Sequence, residues 1–172
     1  MVRAVFPGTF DPIHYGHIDI ATRAARVFDE VVVAVYDRPL KSLLFSPEER
    51  IALVTETLQN LPHIRVVSYS GMTVDFCRKI SAQVIVRGLR VFSDFEFEFR
   101  MALANKRLAP DIESIAFITD EEQSFLSSST VREIASLHGD VSSMVPAHVN
   151  EALKNKLKDL GDQQVRPFGI KV

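Results

Sequence analysis

The chain has 172 residues, of which 47% are hydrophobic and 24% are charged, and its net charge is −2. This balance is ordinary for one soluble globular domain and gives no sign of a surface that binds nucleic acid or a membrane. The one cysteine, Cys77, excludes an internal disulfide and, in its apolar run, is expected to be a buried small side chain. Because neither a signal peptide nor an apolar run of membrane-spanning length is evident, we expect a cytoplasmic protein.

Five short segments rich in Val and Ile are predicted to be strands, at residues 3–6, 30–36, 65–68, 84–87 and 114–118. They are apolar at most positions, which is typical of parallel strands buried on both faces. Helical patterns alternate with them. The sequence therefore predicts an α/β fold, a single Rossmann-like doubly wound domain with a five-stranded parallel sheet and helices on both faces. We assign residues 1–160 to this domain and 161–172 to a C-terminal tail.

Apolar spacing and capping residues predict the intervening helices. After the first strand, one apolar stripe is formed by Ile20, Ala21, Ala24, Val27 and Phe28. Ser46, Pro47 and Glu49 supply an N-cap, a proline at the first helical position and a capping-box glutamate. Further capping boxes are predicted at residues 93–96, opening a helix to about residue 108, and at residues 130–133. A last helix is expected from about residue 146 to 160.

The loop after the first strand carries the strongest functional pattern, Gly8-Thr9-Phe10-Asp11-Pro12-Ile13-His14-Tyr15-Gly16-His17. A helix is expected to begin within it, and the first turn of a helix offers backbone N–H groups and a positive partial charge to a phosphate. Gly16 allows close approach to the backbone, and imidazole N–H groups can donate to phosphate oxygens. We expect Asp11 to stabilise the turn rather than bind a metal. Zinc-spaced clusters, the P-loop and the dinucleotide-binding glycine fingerprint are all missing from the sequence.

A second set of candidates follows the fourth strand, which we expect to lie beside a central first strand across the switch point of the sheet. That strand ends in Arg87-Gly88-Leu89-Arg90, so both arginines should face the turn that holds Thr9 and His17. Arginine suits bidentate recognition of phosphate. Surface ion pairs with Asp94, Glu96 or Glu98 are the less favoured interpretation. Lys41, on the loop after the second strand, is expected at the same edge of the sheet.

A run of hydroxyl residues at 127–130 opens the helix after the fifth strand. Together with free backbone N–H groups it could form a second anion site, although simple N-capping would account for one of these hydroxyls. The aromatic series Phe92, Phe95, Phe97 and Phe99 is expected to serve packing rather than base stacking, with Phe97 a candidate for a substrate or subunit contact. The remaining histidines, at positions 63, 138 and 148, are expected to be structural.

The first-loop pattern resembles the signature of the nucleotidyltransferase superfamily, in which two histidines flank a residue and a glycine. The segments Arg87-Gly88-Leu89-Arg90, Asp94-Phe95-Glu96 and Ser127-Ser128-Ser129 narrow the resemblance to the bacterial phosphopantetheine adenylyltransferase family. The similarity extends from residue 2 to about residue 157. It implies transfer of AMP from ATP to 4′-phosphopantetheine, giving dephospho-coenzyme A and pyrophosphate. It also implies Mg²⁺ carried by ATP, a homohexamer and feedback inhibition by coenzyme A.

The resemblance also implies a role for each matched position. His17, Lys41, Arg90 and Thr9 are expected to be catalytic, and phosphopantetheine is expected to bind Thr9, Lys41, Thr73 and Arg87. The expected ATP-binding residues are Thr9, Phe10, His17, Gly88, Leu89, Arg90, Glu98, Gln123, Ser124, Phe125, Leu126, Ser127, Ser128 and Ser129. Three positions depart from the commonest pattern of the family, namely His14, Phe97 and Gln123.

The expected mechanism needs no general base, because the attacking phosphate is already ionised at neutral pH. Catalysis should then consist of positioning and electrostatic stabilisation, with His17 donating to the α-phosphate in the transition state. Two other functions remain open from the residues alone. One is a cytidylyltransferase for a small alcohol phosphate, and the other is a nucleotide-binding regulatory module without turnover.

Overall fold

The computed structural model of the chain describes residues 1–38 and 42–161. Its five strands are β1 (Arg3–Gly8), β2 (Glu30–Tyr36), β3 (Ile64–Tyr69), β4 (Val84–Leu89) and β5 (Glu113–Ile118). All neighbouring pairs are parallel, in the order β3-β2-β1-β4-β5. The predicted α/β class, the five parallel strands and the central position of β1 beside β4 are confirmed.

The helices that connect the strands are α1 (Tyr15–Ala25), α2 (Pro47–Leu58), α3 (Thr73–Lys79), α4 (Phe92–Leu108), α5 (Ser128–Ser136) and α6 (Ala147–Leu160). A short 3-10 turn, Glu121–Gln123, lies between β5 and α5. Val27 lies beyond the end of α1 and is exposed, so the apolar stripe predicted there is shorter than expected. The division into residues 1–160 and a tail stays a prediction, since residues 162–172 lie outside the described part of the chain.

One of the three predicted capping boxes is confirmed. Ser46 accepts the backbone N–H of Glu49 at 3.2 Å, and the carboxylate of Glu49 accepts that of Ser46 at 2.7 Å. The box predicted at 93–96 is wrong, because α4 begins two residues earlier than that box requires, with Val91 as its N-cap. The box predicted at 130–133 is also wrong, because Ser127 caps α5 and accepts the backbone N–H of Thr130 at 3.0 Å.

The sheet is covered on both faces near its centre. Alternate residues of β2 point to opposite faces, with Val31, Val33 and Val35 in one apolar cluster and Val32 and Ala34 in the other. The first cluster includes side chains of α1, α2, α5 and α6, and the second includes side chains of α3. This is the alternation that a parallel strand buried on both faces must show. Cys77 lies in the second cluster and is fully buried, as predicted, and burial raises the pKa of its thiol to about 12.

The expectation of burial on both faces is wrong at the β5 edge. Ile115 and Ile118 of β5 are 39% and 74% exposed, and α4, which precedes this strand, has no buried residue. The phenylalanines of α4 therefore lie outside the core of this chain, although Phe92, Phe95 and Phe99 stack on one another, and their expected packing role stays a prediction. Among the described residues, every helix is too short or too polar to cross a bilayer.

The sheet opens between β1 and β4, and this opening positions the functional site. β1 pairs with β2 along all six of its residues, whereas its pairing with β4 is confined to Ala4 with Val84 and Val5 with Ile85. The carboxyl ends of the two strands therefore separate. Ligands of open parallel sheets bind at such a switch point, beyond the carboxyl ends of the strands.

Candidate active site

A cleft of about 470 Å³ lies at the divergence of β1 and β4. Its walls come from six segments that are distant in the sequence. They are the first loop with the start of α1, the end of β2, the end of β3 with the start of α3, the end of β4 with the first turns of α4, Thr119 after β5, and the start of α5. The lining residues include Thr9, Phe10, His14, Gly16, His17, Thr73, Arg87, Gly88, Arg90, Asp94, Glu98, Ser127, Ser128 and Ser129. Most of the predicted site residues are thus brought together.

The two histidines of the first loop form a stacked pair at the start of α1. Their ring centroids lie 3.7 Å apart with an interplanar angle of 28°. His14 is the N-cap residue, and its backbone N–H donates to Nδ1 of His17 at 3.2 Å. A nitrogen that accepts a hydrogen bond cannot carry the hydrogen of a neutral imidazole. The tautomer of His17 set by this contact therefore has its N–H at Nε2, as a donor to phosphate requires.

His14 is held as a neutral ring. Its side chain is buried, and burial, helped by the positive charge of Arg90, lowers its pKa to about 3. Its Nδ1 is buried without a hydrogen-bond partner among the described residues. The site therefore contains one imidazole that stays uncharged at neutral pH directly against the predicted donor.

The turn that leads to these histidines is compact because of its first glycine. A Cβ atom on Gly8 would lie 2.9 Å from the ring of Phe10, which packs edge-on against His17 with centroids 4.9 Å apart. Phe10 has a positive φ of 50° and is almost fully buried. Phe10 thus supports the His17 ring and lines the cleft, and its role in ATP binding stays a prediction.

Arg87 spans the opening between the diverging strands. Its guanidinium donates to the Pro7 carbonyl at 3.0 Å and to both carboxylate oxygens of Glu98 at 2.8 and 2.6 Å. Arg87 therefore forms the ion pair that was the less favoured interpretation, and it also lines the cleft. These contacts engage three of the five guanidinium hydrogens, and an arginine with two remaining donors can still bind an anion.

Arg90 is fixed in a similar way at the other side of the cleft. It pairs with Asp94 through Nε at 2.9 Å and Nη2 at 3.1 Å, and it also donates to the Leu126 carbonyl. The same carboxylate accepts the backbone N–H of Arg90 at 3.1 Å. This network holds the end of β4 against the segment that leads into α5, and it lowers the pKa of Asp94 through hydrogen bonds and charge, against the effect of burial.

The serines at the start of α5 have separate tasks. Ser127 is the N-cap, and the hydroxyl of Ser128 donates to the Pro12 carbonyl at 2.9 Å. The capping interpretation is therefore correct for one serine, and a second one ties α5 to the first loop. Since α1 and α5 both begin at this cleft, the positive ends of two helix dipoles are directed into it.

The net charge of the cleft wall is smaller than its arginines suggest. Among the described lining residues, Arg87 and Arg90 are balanced by Glu98 and Asp94. The attraction for phosphate in this part of the molecule therefore rests on directed N–H donors and helix dipoles more than on net charge. Lys41, the further cation that the sequence predicts here, lies outside the described residues.

Asp11 stabilises the turn, as predicted. Its carboxylate accepts the backbone N–H groups of Leu44 and Phe45, both at 2.9 Å, and lies 3.2 Å from the guanidinium of Arg132. The carboxylate of Asp11 and those of the cleft residues Asp94 and Glu98 are thus all engaged by protein donors. Within residues 1–38 and 42–161, no group of three or more histidine, cysteine or acidic residues is placed to hold a metal ion.

Some predicted residues are not on the described cleft wall. These are Leu89 and the four residues Gln123, Ser124, Phe125 and Leu126, which precede α5 in the sequence. Leu126 is buried, and its carbonyl accepts a hydrogen bond from Arg90, whereas the side chain of Phe125 is 58% exposed. Thr73 does line the cleft, and its hydroxyl lies 3.0 Å from that of Tyr69.

Arg50 is a residue of this region that the sequence interpretation missed. It is fully buried and donates to the carbonyls of Thr9, Tyr36 and Asp37 at 2.8, 2.7 and 3.3 Å. One signal could have revealed it. Arg50 precedes Val54 by four residues, so a charged residue occupies the apolar stripe of α2.

Comparison with known proteins agrees with this geometry. Residues 5–134 match the family model described as cytidylyltransferase-like. The phosphopantetheine adenylyltransferase of Roseiflexus sp. (strain RS-1) is 56% identical over 154 residues, which are 90% of this chain and 96% of the relative. The chain belongs to the phosphopantetheine adenylyltransferase family. It is accordingly a nucleotidyltransferase by family.

Other members of the phosphopantetheine adenylyltransferase family cover even more of the chain. The one from Dictyoglomus thermophilum is 47% identical over 170 residues, which are 99% of this chain and 100% of the relative. A solved structure of a candidate nicotinate-nucleotide adenylyltransferase from Vibrio parahaemolyticus superposes with a TM-score of 0.68 over 90% of this chain and 100% of that chain. Its sequence identity is 21%, so it supports the fold alone.

Proposed function

We propose that this chain transfers the adenylyl group of ATP to 4′-phosphopantetheine, forming dephospho-coenzyme A and pyrophosphate. The observation that carries the proposal is the cleft at the β1–β4 opening, where His17 in its donating tautomer, Thr9 and Arg87 and Arg90 converge with two helix N-termini. Family membership supplies the substrate pair. The cleft supplies the donors that such a pair of anions needs.

The reaction is an in-line displacement at the α-phosphorus. A phosphate oxygen of the acceptor forms a bond to the α-phosphorus of ATP while the bond from that phosphorus to the bridging oxygen of the β-phosphate breaks, and pyrophosphate leaves with the electron pair. The acceptor phosphate is already ionised, so no side chain needs to remove a proton from it. The barrier comes from bringing two anions together, and it is lowered by positioned donors.

Each group in the proposed site has one task in this step. Nε2 of His17 donates to the α-phosphate as its charge develops, and Thr9 holds the incoming phosphate together with Lys41. Arg90 and the first turn of α5, Ser127 to Ser129, hold the departing pyrophosphate.

Arg87 and Thr73 contact the acceptor. Phe10, Gly88 and Glu98 shape the ATP side, with Glu98 acting through Arg87. Leu89 and residues 123–126 are proposed to complete the ATP side.

Mg²⁺ is proposed to enter the site with ATP rather than to be resident. The carboxylates of Asp11, Asp94 and Glu98 are each engaged by backbone N–H groups or guanidinium groups, so they do not fit a metal cage. A magnesium ion bound to nucleotide phosphates keeps most of its water ligands and needs few from the protein. It is therefore part of the nucleotide substrate.

Product analysis tests the proposal. The purified chain with MgATP and 4′-phosphopantetheine should form dephospho-coenzyme A and release one pyrophosphate for each product molecule, identified by mass spectrometry and a coupled pyrophosphate assay. No pyrophosphate should appear when the acceptor is omitted. Formation of no product would refute the proposal and would favour the regulatory nucleotide-binding module instead.

A second candidate function is a cytidylyltransferase for a small alcohol phosphate, which the name of the matching family model favours. The two are separated by replacing ATP with CTP in the same assay. Preference for ATP by a factor of about 100 or more, equivalent to about 2.7 kcal/mol, would support adenylyl transfer. Preference for CTP would support the alternative.

Three further properties are proposed with this function. A homohexamer is supported by the apolar residues that α4 leaves exposed. Feedback inhibition by coenzyme A is supported by the chemistry, since coenzyme A contains both the pantetheine arm and the adenylate of the product. A cytoplasmic location is supported by the unpaired thiol of Cys77, which is buried and protonated.

A further inference from the structure

Arg50 is a buried cation beneath the proposed site. Its side chain has no exposure to solvent, although it lies in the first turns of α2. All three of its hydrogen bonds to described residues go to main-chain carbonyl oxygens rather than to carboxylates. Burial lowers its pKa, and the charges of Asp11, Asp37 and Glu48 oppose that shift.

Packing alone does not explain why a charged side chain is buried at this position. A buried charge is disfavoured, and the positive end of the α2 dipole adds to the penalty. The neighbouring buried positions of the same helix are Leu53, Val54 and Leu58, so an aliphatic side chain would continue the stripe. The position therefore calls for an explanation in the groups that the guanidinium binds.

Those groups belong to two loops that the proposed function brings together. Thr9 follows β1, Tyr36 is the last residue of β2, and Asp37 comes directly after it. A planar guanidinium can reach both loops at once with fixed geometry, whereas a lysine ammonium donates from a single atom. Arg50 thus connects the backbone of Thr9, a proposed ligand of the acceptor phosphate, to the end of β2.

The helix that carries Arg50 is itself fixed at this end. The capping box of Ser46 and Glu49 sets the first turn of α2, and Nζ of Lys156 on α6 lies 2.7 and 2.8 Å from the two carboxylate oxygens of Glu49. The backbone N–H of Arg50 donates to the Ser46 carbonyl at 3.0 Å. The guanidinium therefore projects from a rigid support.

We infer that Arg50 is a positioning residue of the reaction, which fixes Thr9 against the end of β2 so that Thr9 can hold the acceptor phosphate. It makes no contact with substrate itself. The inference rests on the proposed function, because it concerns the acceptor half of that site. It implies that a change at Arg50 affects the acceptor more than ATP.

Steady-state kinetics of Arg50→Lys tests this. The variant keeps the charge but cannot span three carbonyls, so the KM for 4′-phosphopantetheine should rise by about tenfold or more, as expected for the loss of buried charge-assisted hydrogen bonds. The KM for ATP should stay within about twofold. Equal changes in the two KM values, or no change in either, would overturn the inference. If the unmodified chain forms no dephospho-coenzyme A, the proposed function fails instead.

Leu53→Ala is the matched control, since Leu53 is a buried residue of the same helix that lies in the apolar stripe and not on the cleft wall. It should lower the thermal midpoint, as Arg50→Lys does, while leaving the ratio of the two KM values unchanged. A shift of that ratio by Leu53→Ala as large as that by Arg50→Lys would show that loss of stability alone explains the result, and would overturn the inference.

A measurement on the unmodified chain keeps the inference testable if Arg50→Lys does not fold. Hydrogen exchange is followed by mass spectrometry with and without 4′-phosphopantetheine. Peptides that contain residues 8–10 and 36–38 should both become slower to exchange when the acceptor is added, because Arg50 couples them. Protection of residues 8–10 without protection of 36–38 would overturn the inference.

Discussion

At the scale of single residues, the stacked histidine pair decides what the site can do. The backbone of His14 fixes the tautomer of His17, and the ring of Phe10 supports it from the other side. A donor held in this way needs little reorganisation when charge develops on the α-phosphate, which is the condition for effective electrostatic stabilisation. The same contacts leave His17 little freedom to act as a base.

Replacing His17 by alanine is therefore expected to lower kcat by about 10²–10³-fold, the usual effect of removing one such donor. The KM for ATP should change modestly, because the interaction is strongest in the transition state. Initial rates of pyrophosphate release provide the measurement. His63→Asn is the control, since His63 is exposed and asparagine tolerates its positive φ of 62°. An unchanged kcat in His17→Ala would contradict the assignment.

His14 should make folding stability depend on pH. Its pKa is about 3 in the folded chain, against an ordinary value of 6.5, so the unfolded chain binds more protons between these values. The free energy of unfolding therefore includes the full contribution of neutral His14 above pH 6.5. This contribution is lost as the pH falls from 6.5 toward about 3, by up to about 1.4 kcal/mol per pH unit.

The variant His14→Thr removes this group and keeps an N-cap residue of a favourable type. Its free energy of unfolding should fall less than that of the unmodified chain between about pH 7 and about pH 5, since the carboxylates titrate alike in both. Urea unfolding at the two pH values measures the difference. Identical pH dependence in the two chains would show that His14 becomes protonated without penalty.

At the scale of structural elements, Asp11 connects the first loop to the start of α2 and to α5. Asp11→Asn leaves one oxygen for two backbone N–H groups and removes the negative charge beside buried Arg132. Breaking a buried ion pair from one side costs about 3–5 kcal/mol, so the free energy of unfolding should fall by about that amount. Asp111→Asn, at an exposed ion pair with Arg78, is the control and should have little effect on the urea midpoint. Equal midpoints for Asp11→Asn and the unmodified chain would refute the structural role of Asp11.

Local signals explain which elements could be predicted from the sequence. The strands are confirmed because each is a short apolar run between turn residues, and the Ser46 box is confirmed because its two hydrogen bonds join residues three apart. The box at 93–96 is wrong because Asp94 pairs with Arg90 in the preceding turn, and the helix begins before Ser93. The box at 130–133 is wrong because Ser127 is the N-cap and accepts the backbone N–H of Thr130, which places Thr130 inside the first turn of α5.

Long-range contacts explain what the sequence could not provide. The convergence of the first loop with Arg87 and Arg90 was predictable, because the carboxyl ends of neighbouring parallel strands share an edge. The ion pairs of those arginines with Glu98 and Asp94 depend on how α4 sits over β4, and no local pattern encodes that. Arg50 depends on the same kind of distance, since its three carbonyl partners are 13 to 41 residues away in the sequence.

At the scale of the whole molecule, α4 and β5 leave one side of the sheet uncovered. Seven large apolar side chains of α4 are at least 42% exposed, namely Phe92, Phe95, Phe97, Phe99, Met101, Leu103 and Leu108. Monomeric proteins rarely expose an apolar patch of this kind. Two of these rings, Phe95 and Phe99, are stacked with centroids 5.7 Å apart on the same face of the helix. The patch supports the proposed homohexamer as the state in which it becomes buried.

Replacing Phe99 by glutamate should dissociate this assembly, because a charge would be buried without a partner in an apolar interface. Size-exclusion chromatography with light scattering should give the molar mass of a hexamer for the unmodified chain and a lower molar mass for Phe99→Glu. Leu137→Glu is the matched control, since Leu137 is 71% exposed at the end of α5, away from the α4 patch, and should keep the original mass. A monomeric unmodified chain, or a Phe99→Glu variant of unchanged mass, would show that the α4 patch is not the surface through which copies of the chain associate.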